Sequence, residues 1–353
     1  MTIFISHTHF PVKDRRLLFI LTRPFFFENQ WLNDAEVKAK WGLHEDDFEL
    51  VASIDLAKFV IIPFSINSYF IQNIAHELTS LNEDCKKHNI KAYGFVVDDF
   101  GIAFQDYSNI IYLRANGFKS QLSSQNKGFP IALSDHFQKL FGKENITPNQ
   151  KKELPRIGFC GHANSSFLKR IKELLIFGRE NAKRFLKNPI RNDWEPLFSS
   201  AFQRSQLLKT MADSSLLETN FIYRDQYRAG AKNKADLEKT TLEYFENIYH
   251  SDYVLCMRGA GNYSVRFYET LMMGRIPIFV NTDCLLPFED IIDWNKHVVW
   301  VEWKDRNAIA SIVSDFHSKL SNQEFIAIQL NNRKLWKETL STRSILQILS
   351  NDI

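Results

Sequence analysis

Two kinds of apolar pattern alternate along this chain. Short continuous runs predict strands buried on both faces: "RRLLFILTR" (15–23), "FVIIPFS" (59–65), "KAYGFVV" (91–97) and "NIIYLRA" (109–115). Between the second and third, Phe70, Ile71, Ile74, Leu78 and Leu81 recur at three- and four-residue spacing with charge on the other positions, which predicts a helix over about 67–88. A second series starts at "RIGFCG" (156–161). A helix over about 165–177 follows, then helical material to about 212 and the strand "NFIYRD" (220–225). Next come a helix over about 236–249, the strand "DYVLCM" (252–257) and a helix over about 263–273. The strands "IPIFV" (276–280) and "HVVWVEW" (297–303) and two helices, about 305–319 and 322–348, complete the pattern.

Alternating β and α elements predict the α/β class, with mostly parallel sheets covered by helices. The polar, proline-bounded segment "GKENITPNQKKELP" (142–155) interrupts the alternation and reads as a linker. Two domains follow, 1–150 and 151–330, facing across a cleft. Open parallel sheets bind ligands beyond the carboxyl ends of their strands. The loops to weigh are therefore "DDFG", "GHANSS", "RDQYRAG" and "RGAGNYS".

Composition narrows the picture. With 353 residues the chain suits two domains, and thirty phenylalanines exclude a disordered protein. A formal charge of +3 gives no concentrated basic face for nucleic acid. The four cysteines, Cys85, Cys160, Cys256 and Cys284, form no CxxC pair, and three of them lie in or beside apolar runs, as reduced cysteines in a reducing compartment do. The N-terminal run "LLFILT" is too short for a signal peptide, and no stretch approaches a membrane span of about 18 apolar residues. The expectation is a cytoplasmic protein, peripheral to the inner membrane, that binds no nucleic acid.

The chemistry concentrates in "RGAGNYSVRFYE" (258–269). A strand runs into a glycine turn and then a helix, whose N-terminal N–H groups suit an anion. Gly259 and Gly261 let backbone approach a ligand, and Ser264 either caps the helix or donates to a phosphate. Arg266 and Glu269, three apart, share one helix face. An arginine there can pair with a diphosphate and a carboxylate can accept two ribose hydroxyls. The same spacing also fits a plain strand–helix corner with a surface ion pair, and spacing alone leaves both open.

The block from "YVLCMRG" to "DWNKHVVWV" resembles the C-terminal signature of the exostosin family of glycosyltransferases. It carries Cys256-Met257-Arg258-Gly259, Ser264-Val265-Arg266-Phe267-Tyr268-Glu269, Gly274-Arg275-Ile276-Pro277, Leu286-Pro287-Phe288 and Asp293-Trp294 in the family's order over about 50 residues. Met257 replaces the family's proline and Met273 its alanine. "RIGFCGHANSS", "DLAKFVIIPFS" and "FVVDDFG" resemble the family more weakly, and Asp98 stands where a histidine is usual.

The resemblance implies a GT-B architecture of two Rossmann-like domains, with residues 331–353 forming a helix that packs back on the first. It implies an inverting enzyme that takes a nucleotide sugar, UDP-linked in most members, as substrate and needs neither cofactor nor metal. Glu269 would bind the donor ribose and Arg266 the diphosphate, with Arg258, Gly259 and Gly261 shaping the loop. Gly161 and a following base, Lys169 or Arg170, match the family's second loop, and His162 would contact donor phosphate or sugar. Arg224 or Arg228 would bind phosphate or an acidic acceptor. Inversion needs a base for the acceptor hydroxyl. Asp99 is the first candidate and Asp98 the second, each also readable as a turn aspartate. The expected acceptor is a saccharide or lipid-linked oligosaccharide in capsule or O-antigen synthesis. The alternatives are a GT-B transferase using a GDP-sugar, as a fucosyltransferase does, and a catalytically silent homologue acting as a polymerase subunit.

Overall fold

The structure, a computed structural model, describes residues 1–6, 18–27, 30–31, 33–44, 46–97, 99–163, 166–187, 193–224 and 230–351. The chain divides into two units. Unit 1 comprises Met1–Ala132, Leu285–Ile291 and Glu338–Ile353; unit 2 comprises Leu133–Cys284 and Ile292–Lys337.

Unit 1 contains β1 (Thr2–Ile5), a short hairpin of β2 (Phe26–Phe27) and β3 (Gln30–Trp31), α1 (Ala35–Lys40), β4 (Glu49–Leu50) and β5 (Phe59–Ser65). It continues with α2 (Ile66–Ile71), α3 (Ala75–His88), β6 (Ala92–Phe95), β7 (Ile110–Arg114) and β8 (Asn126–Gly128). Among the described residues its main sheet has the order β4-β1-β5-β6-β7-β8, parallel throughout. The apolar run of β5 is buried almost end to end because helices cover both faces of a parallel sheet. Val60, Ile62 and Phe64 pack with Leu78, Leu81 and Cys85 of α3, the face that the helical spacing marked.

In unit 1, two of the expected elements differ from the sequence pattern. Residues 18–23 of the expected strand 15–23 give only an isolated bridge, Leu18 to Phe64, and then a 3-10 helix, Ile20–Phe25; the rest lies outside the described residues. The buried Thr22 hydroxyl donates to the Phe19 carbonyl at 2.7 Å, and Pro24 has no N–H for a ladder. The single helix expected over 67–88 is broken between α2 and α3, where Asn73 takes φ 57°.

Unit 2 contains α4 (His136–Phe141), β9 (Arg156–His162), α5 (Phe167–Lys187), α6 (Ser200–Ala212), β10 (Glu218–Arg224), α7 (Lys234–Tyr249), β11 (Tyr253–Cys256), α8 (Val265–Met272), β12 (Ile276–Asn281), β13 (Val299–Glu302), α9 (Ile309–Lys319) and α10 (Asn322–Thr339). Its sheet, again parallel, has the order β10-β9-β11-β12-β13. The chain ends in α11 (Thr342–Leu349), which belongs to unit 1. The helix expected over 322–348 is therefore two, separated where the Ser341 hydroxyl caps α11 by accepting from Ser344 N–H. Two parallel α/β units bear out the expected fold class.

The segment 142–155 lies within unit 2. Asn149 ties it down, donating to the Asp252 carboxylate and the Ser251 carbonyl and exchanging hydrogen bonds with Gln329. Arg275 completes this joint. Its guanidinium lies over the Tyr249 ring at 4.4 Å and donates to the carbonyls of Tyr249, Gly274 and Thr147 and to the side chains of Asn149 and Gln329. Burial lowers its pKa to about 10, with Tyr249 and Asp252 opposing that shift. Arg275→Met would leave these buried acceptors without a donor, at a cost of about 3 kcal/mol. The expected result is a lower urea midpoint with an unchanged m-value, read by far-UV circular dichroism.

Candidate functional site

The strand order of unit 2 sets where a ligand fits. From β9 the chain steps outward to β10, then returns past β9 to β11 and continues the other way. The loops after β9 and β11 diverge there and leave a crevice at the carboxyl edge, the switch point of an open α/β sheet. The residues that meet at it are Gly161 and His162 at the end of β9 and the loop 257–264 that leads into α8.

Arg266, in the first turn of α8, reaches back across this edge. Its Nη2 donates to the Cys160 carbonyl at 2.9 Å, and its guanidinium lies over the Phe159 ring at 4.3 Å. Gly161 makes that reach feasible. A Cβ on Gly161 would sit 2.8 Å from Arg266 Nη2, and the residue holds φ +156°. One turn along α8, Glu269 Oε2 accepts a 2.5 Å hydrogen bond from the Tyr244 hydroxyl of α7. Burial pushes the Glu269 carboxyl above its ordinary pKa, while the Tyr244 hydrogen bond and the Arg266 charge pull it back. Burial and the Glu269 charge hold the Tyr244 phenol far above its usual range.

A second guanidinium joins from α6. Arg204 donates to the His162 carbonyl at 2.8 Å and to the Arg258 carbonyl at 3.2 Å, tying the two loops of the crevice together. Burial, and then the nearby Arg266 charge, lower its pKa to about 10. The Nε atoms of Arg204 and Arg266 are both buried without an acceptor. Two close guanidinium groups with unused donors, beside the first turn of a helix, form an arrangement that an anion satisfies.

The other residues named from sequence fall into three groups. Within this crevice, Gly259 closes the loop by donating to the Tyr263 carbonyl at 3.1 Å, and Gly261 is buried. Ser264 is the N-cap of α8 but makes no side-chain cap bond. Arg258 is buried, stacks on Phe198 at 4.8 Å and donates to the Ala260 carbonyl, so it braces the loop from inside. Others are turned to neighbouring structure. Arg224 pairs with Glu243 at 2.6 Å and donates to the Thr240 carbonyl, while the Arg170 guanidinium lies over the Phe202 ring at 4.4 Å. Asp99 is exposed in the loop after β6, in unit 1. Asp98 and Arg228 lie outside the described residues. Among the described residues, no cluster of three His, Cys, Asp or Glu side chains could hold a metal. Arg204 and Tyr244 escaped the sequence reading, because nothing in α6 or α7 marks those positions before the fold brings them to α8.

Comparison with known proteins gives the family. The Exostosin GT47 domain model matches residues 114–316, more than half of the chain. The chain belongs to that family. A relative from Physcomitrium patens, "Probable glucuronosyltransferase 47 A", is 39% identical over 62 residues, which are 18% of this chain and 14% of that protein. The "Exostosin-1 homolog" of Caenorhabditis elegans is 35% identical over 71 residues, 20% of this chain and 19% of that one. The matched stretches thus span under one fifth of each relative's length. A solved structure of S. aureus TarM with UDP covers 74% of this chain and 50% of its own at a TM-score of 0.37 and 12% identity, too loose a likeness to add weight.

If Gly161 is small in order to admit Arg266, the two positions are energetically coupled. Gly161→Ala should lower stability by about 1–3 kcal/mol in the wild-type background. It should cost clearly less in an Arg266→Ala background, where only backbone strain remains. A double-mutant cycle by urea unfolding measures the difference, and equal costs would show that Gly161 serves some other neighbour.

Proposed function

We propose that the chain is a glycosyltransferase that binds a nucleotide sugar, UDP-linked, in the unit 2 crevice and transfers its sugar to a saccharide acceptor with inversion. The observation that carries this reading is the pair of half-buried arginines, Arg204 and Arg266, whose buried Nε donors are unused, with Glu269 beside Arg266. A departing nucleoside diphosphate develops negative charge on its bridging oxygen. Fixed cations and the N–H groups of α8 stabilise that charge without reorganising. Glu269, held by Tyr244 through one oxygen, accepts the ribose hydroxyls with the other. The name of the moss relative, a probable glucuronosyltransferase, supports sugar transfer as the reaction.

In this reading the unit 1 residue Asp99 takes the proton from the acceptor hydroxyl as the new bond forms at the anomeric carbon, with Asp98 as the second candidate. The acceptor is a saccharide carried on a lipid, in cytoplasmic assembly of a surface polysaccharide. Asp99→Asn should cut turnover by about 10²- to 10⁴-fold and leave donor affinity unchanged.

A panel of nucleotides and nucleotide sugars, followed by thermal shift and titration calorimetry, tests the donor site. UDP and a UDP-sugar should raise the melting temperature of the wild-type protein and lose that effect in Arg204→Ala, Arg266→Ala and Glu269→Ala. Tighter binding of GDP would reassign the base, and no shift with any nucleotide would remove the reading. Because the Glu269 pKa is raised, its carboxylate is lost at a higher pH than a free glutamate's. Affinity should therefore weaken as pH falls from 7 towards 5, and Glu269→Gln should flatten that profile while binding weakly throughout.

A further inference from the structure

Helix α5 shows a charge and polarity pattern that the donor crevice does not use. It runs 21 residues, Phe167–Lys187, so it is about 30 Å long. One face packs inward through Phe177 and Arg184, both buried. The acidic residues of the helix turn to this side: Glu173 accepts from the Ser199 hydroxyl at 2.7 Å, and Glu180 pairs with Arg184 at 3.3 Å.

The outward surface is not the charged face expected of a solvated helix. At helical spacing it presents Phe167, Leu168, Ile171, Leu175, Phe185 and Leu186 to solvent. Leu168 and Leu186, near its two ends, are 77% and 82% exposed, and Phe167 is 68% exposed. Trp194 follows in sequence, exposed, with its ring 6.3 Å from that of Phe185, and Leu197 beyond it is exposed. Beside this apolar strip runs a third face carrying Lys172, Arg179 and Lys183, with Ile176 between them, all exposed. The one acid near it is Glu180, 3.9 Å from Lys183. A helix with an apolar strip, a flanking row of cations and its acids turned inward has the composition of an element that lies in a membrane interface.

We propose that α5, extended by Trp194 and Leu197, docks this protein on an anionic lipid surface. The apolar strip enters the boundary between headgroups and acyl chains, and Lys172, Arg179 and Lys183 pair with lipid phosphates. A protein partner or a second copy would also cover an apolar strip, but neither calls for three exposed cations flanking it. The strip begins five residues after His162, so docking sets the carboxyl edge of β9 close to the surface. On the reading given above, a lipid-carried acceptor waits there. The docking itself stands on α5 alone.

Co-sedimentation with vesicles tests the surface directly. The full chain should pellet with phosphatidylcholine vesicles containing phosphatidylglycerol and stay in solution with phosphatidylcholine alone. Leu168→Glu with Leu186→Glu should weaken partitioning by about tenfold or more, and so should joint Lys172→Glu, Arg179→Glu and Lys183→Glu. The charge variants touch exposed positions, and an unchanged circular dichroism spectrum and melting temperature confirm their fold. Glu269→Ala should bind vesicles as the wild type does, which separates failure of this proposal from failure of the donor site. Three results would overturn the proposal: wild type left in solution with anionic vesicles, equal binding to neutral and anionic vesicles, or a dimer on size exclusion that Leu168→Glu with Leu186→Glu converts to monomer.

Discussion

The hydrogen bond from Arg266 to the Cys160 carbonyl is the constraint on which the site depends. It fastens the first turn of α8 to the end of β9, two elements more than 100 residues apart in sequence. The bond needs a neighbour without a side chain at Gly161 and a ring to lie against at Phe159. Once Arg266 is fixed, Glu269 is fixed one turn later, because helix geometry leaves it no other direction. Tyr244 then sets the carboxylate's orientation from α7. Arg204 closes the opposite side by holding both loop carbonyls, His162 and Arg258. The crevice is thus defined by arginines whose orientation is set by bonds to carbonyls.

The same device recurs deeper in unit 2. Arg275 bonds to carbonyls and amides and to no carboxylate, and it joins the segment after α4 to α7 and α10. Arg333 does comparable work with a partner of opposite sign. It pairs with Asp135 at 2.6 Å and donates to the Met272 carbonyl, so the end of α8 is anchored as well as its start. The start of the site helix is therefore held by its own Arg266 and its end by Arg333 of α10.

Much of this architecture was legible in the sequence, for a physical reason. Strands buried on both faces must be apolar throughout, so β5, β7 and β12 read directly from "FVIIPFS", "IIYLR" and "IPIFV". Arg266 and Glu269 were legible because their partnership is local, three residues apart on one helix. What stayed hidden was short or non-local. β1 and β8 have four and three residues, too few for a periodicity to show. The 3-10 helix at Ile20 rests on a buried threonine hydroxyl, whose burial no sequence window reveals. Tyr244 and Arg204 are ordinary helix residues until the sheet brings their helices to α8. Arg224 has a partner that no sequence window shows: its place at a strand end predicts a ligand contact, and its guanidinium also pairs with Glu243 of α7.

The central claim is that Glu269 receives ribose hydroxyls while the guanidinium groups of Arg204 and Arg266 receive the diphosphate. The most direct measurement is a cycle in which both partners are trimmed. UDP and its 2′- and 3′-deoxy forms are titrated calorimetrically into the wild-type protein and into Glu269→Gln. Removing a ribose hydroxyl should weaken binding to the wild type by about tenfold and change little in Glu269→Gln. Equal losses in both proteins would show that the carboxylate and the ribose do not meet.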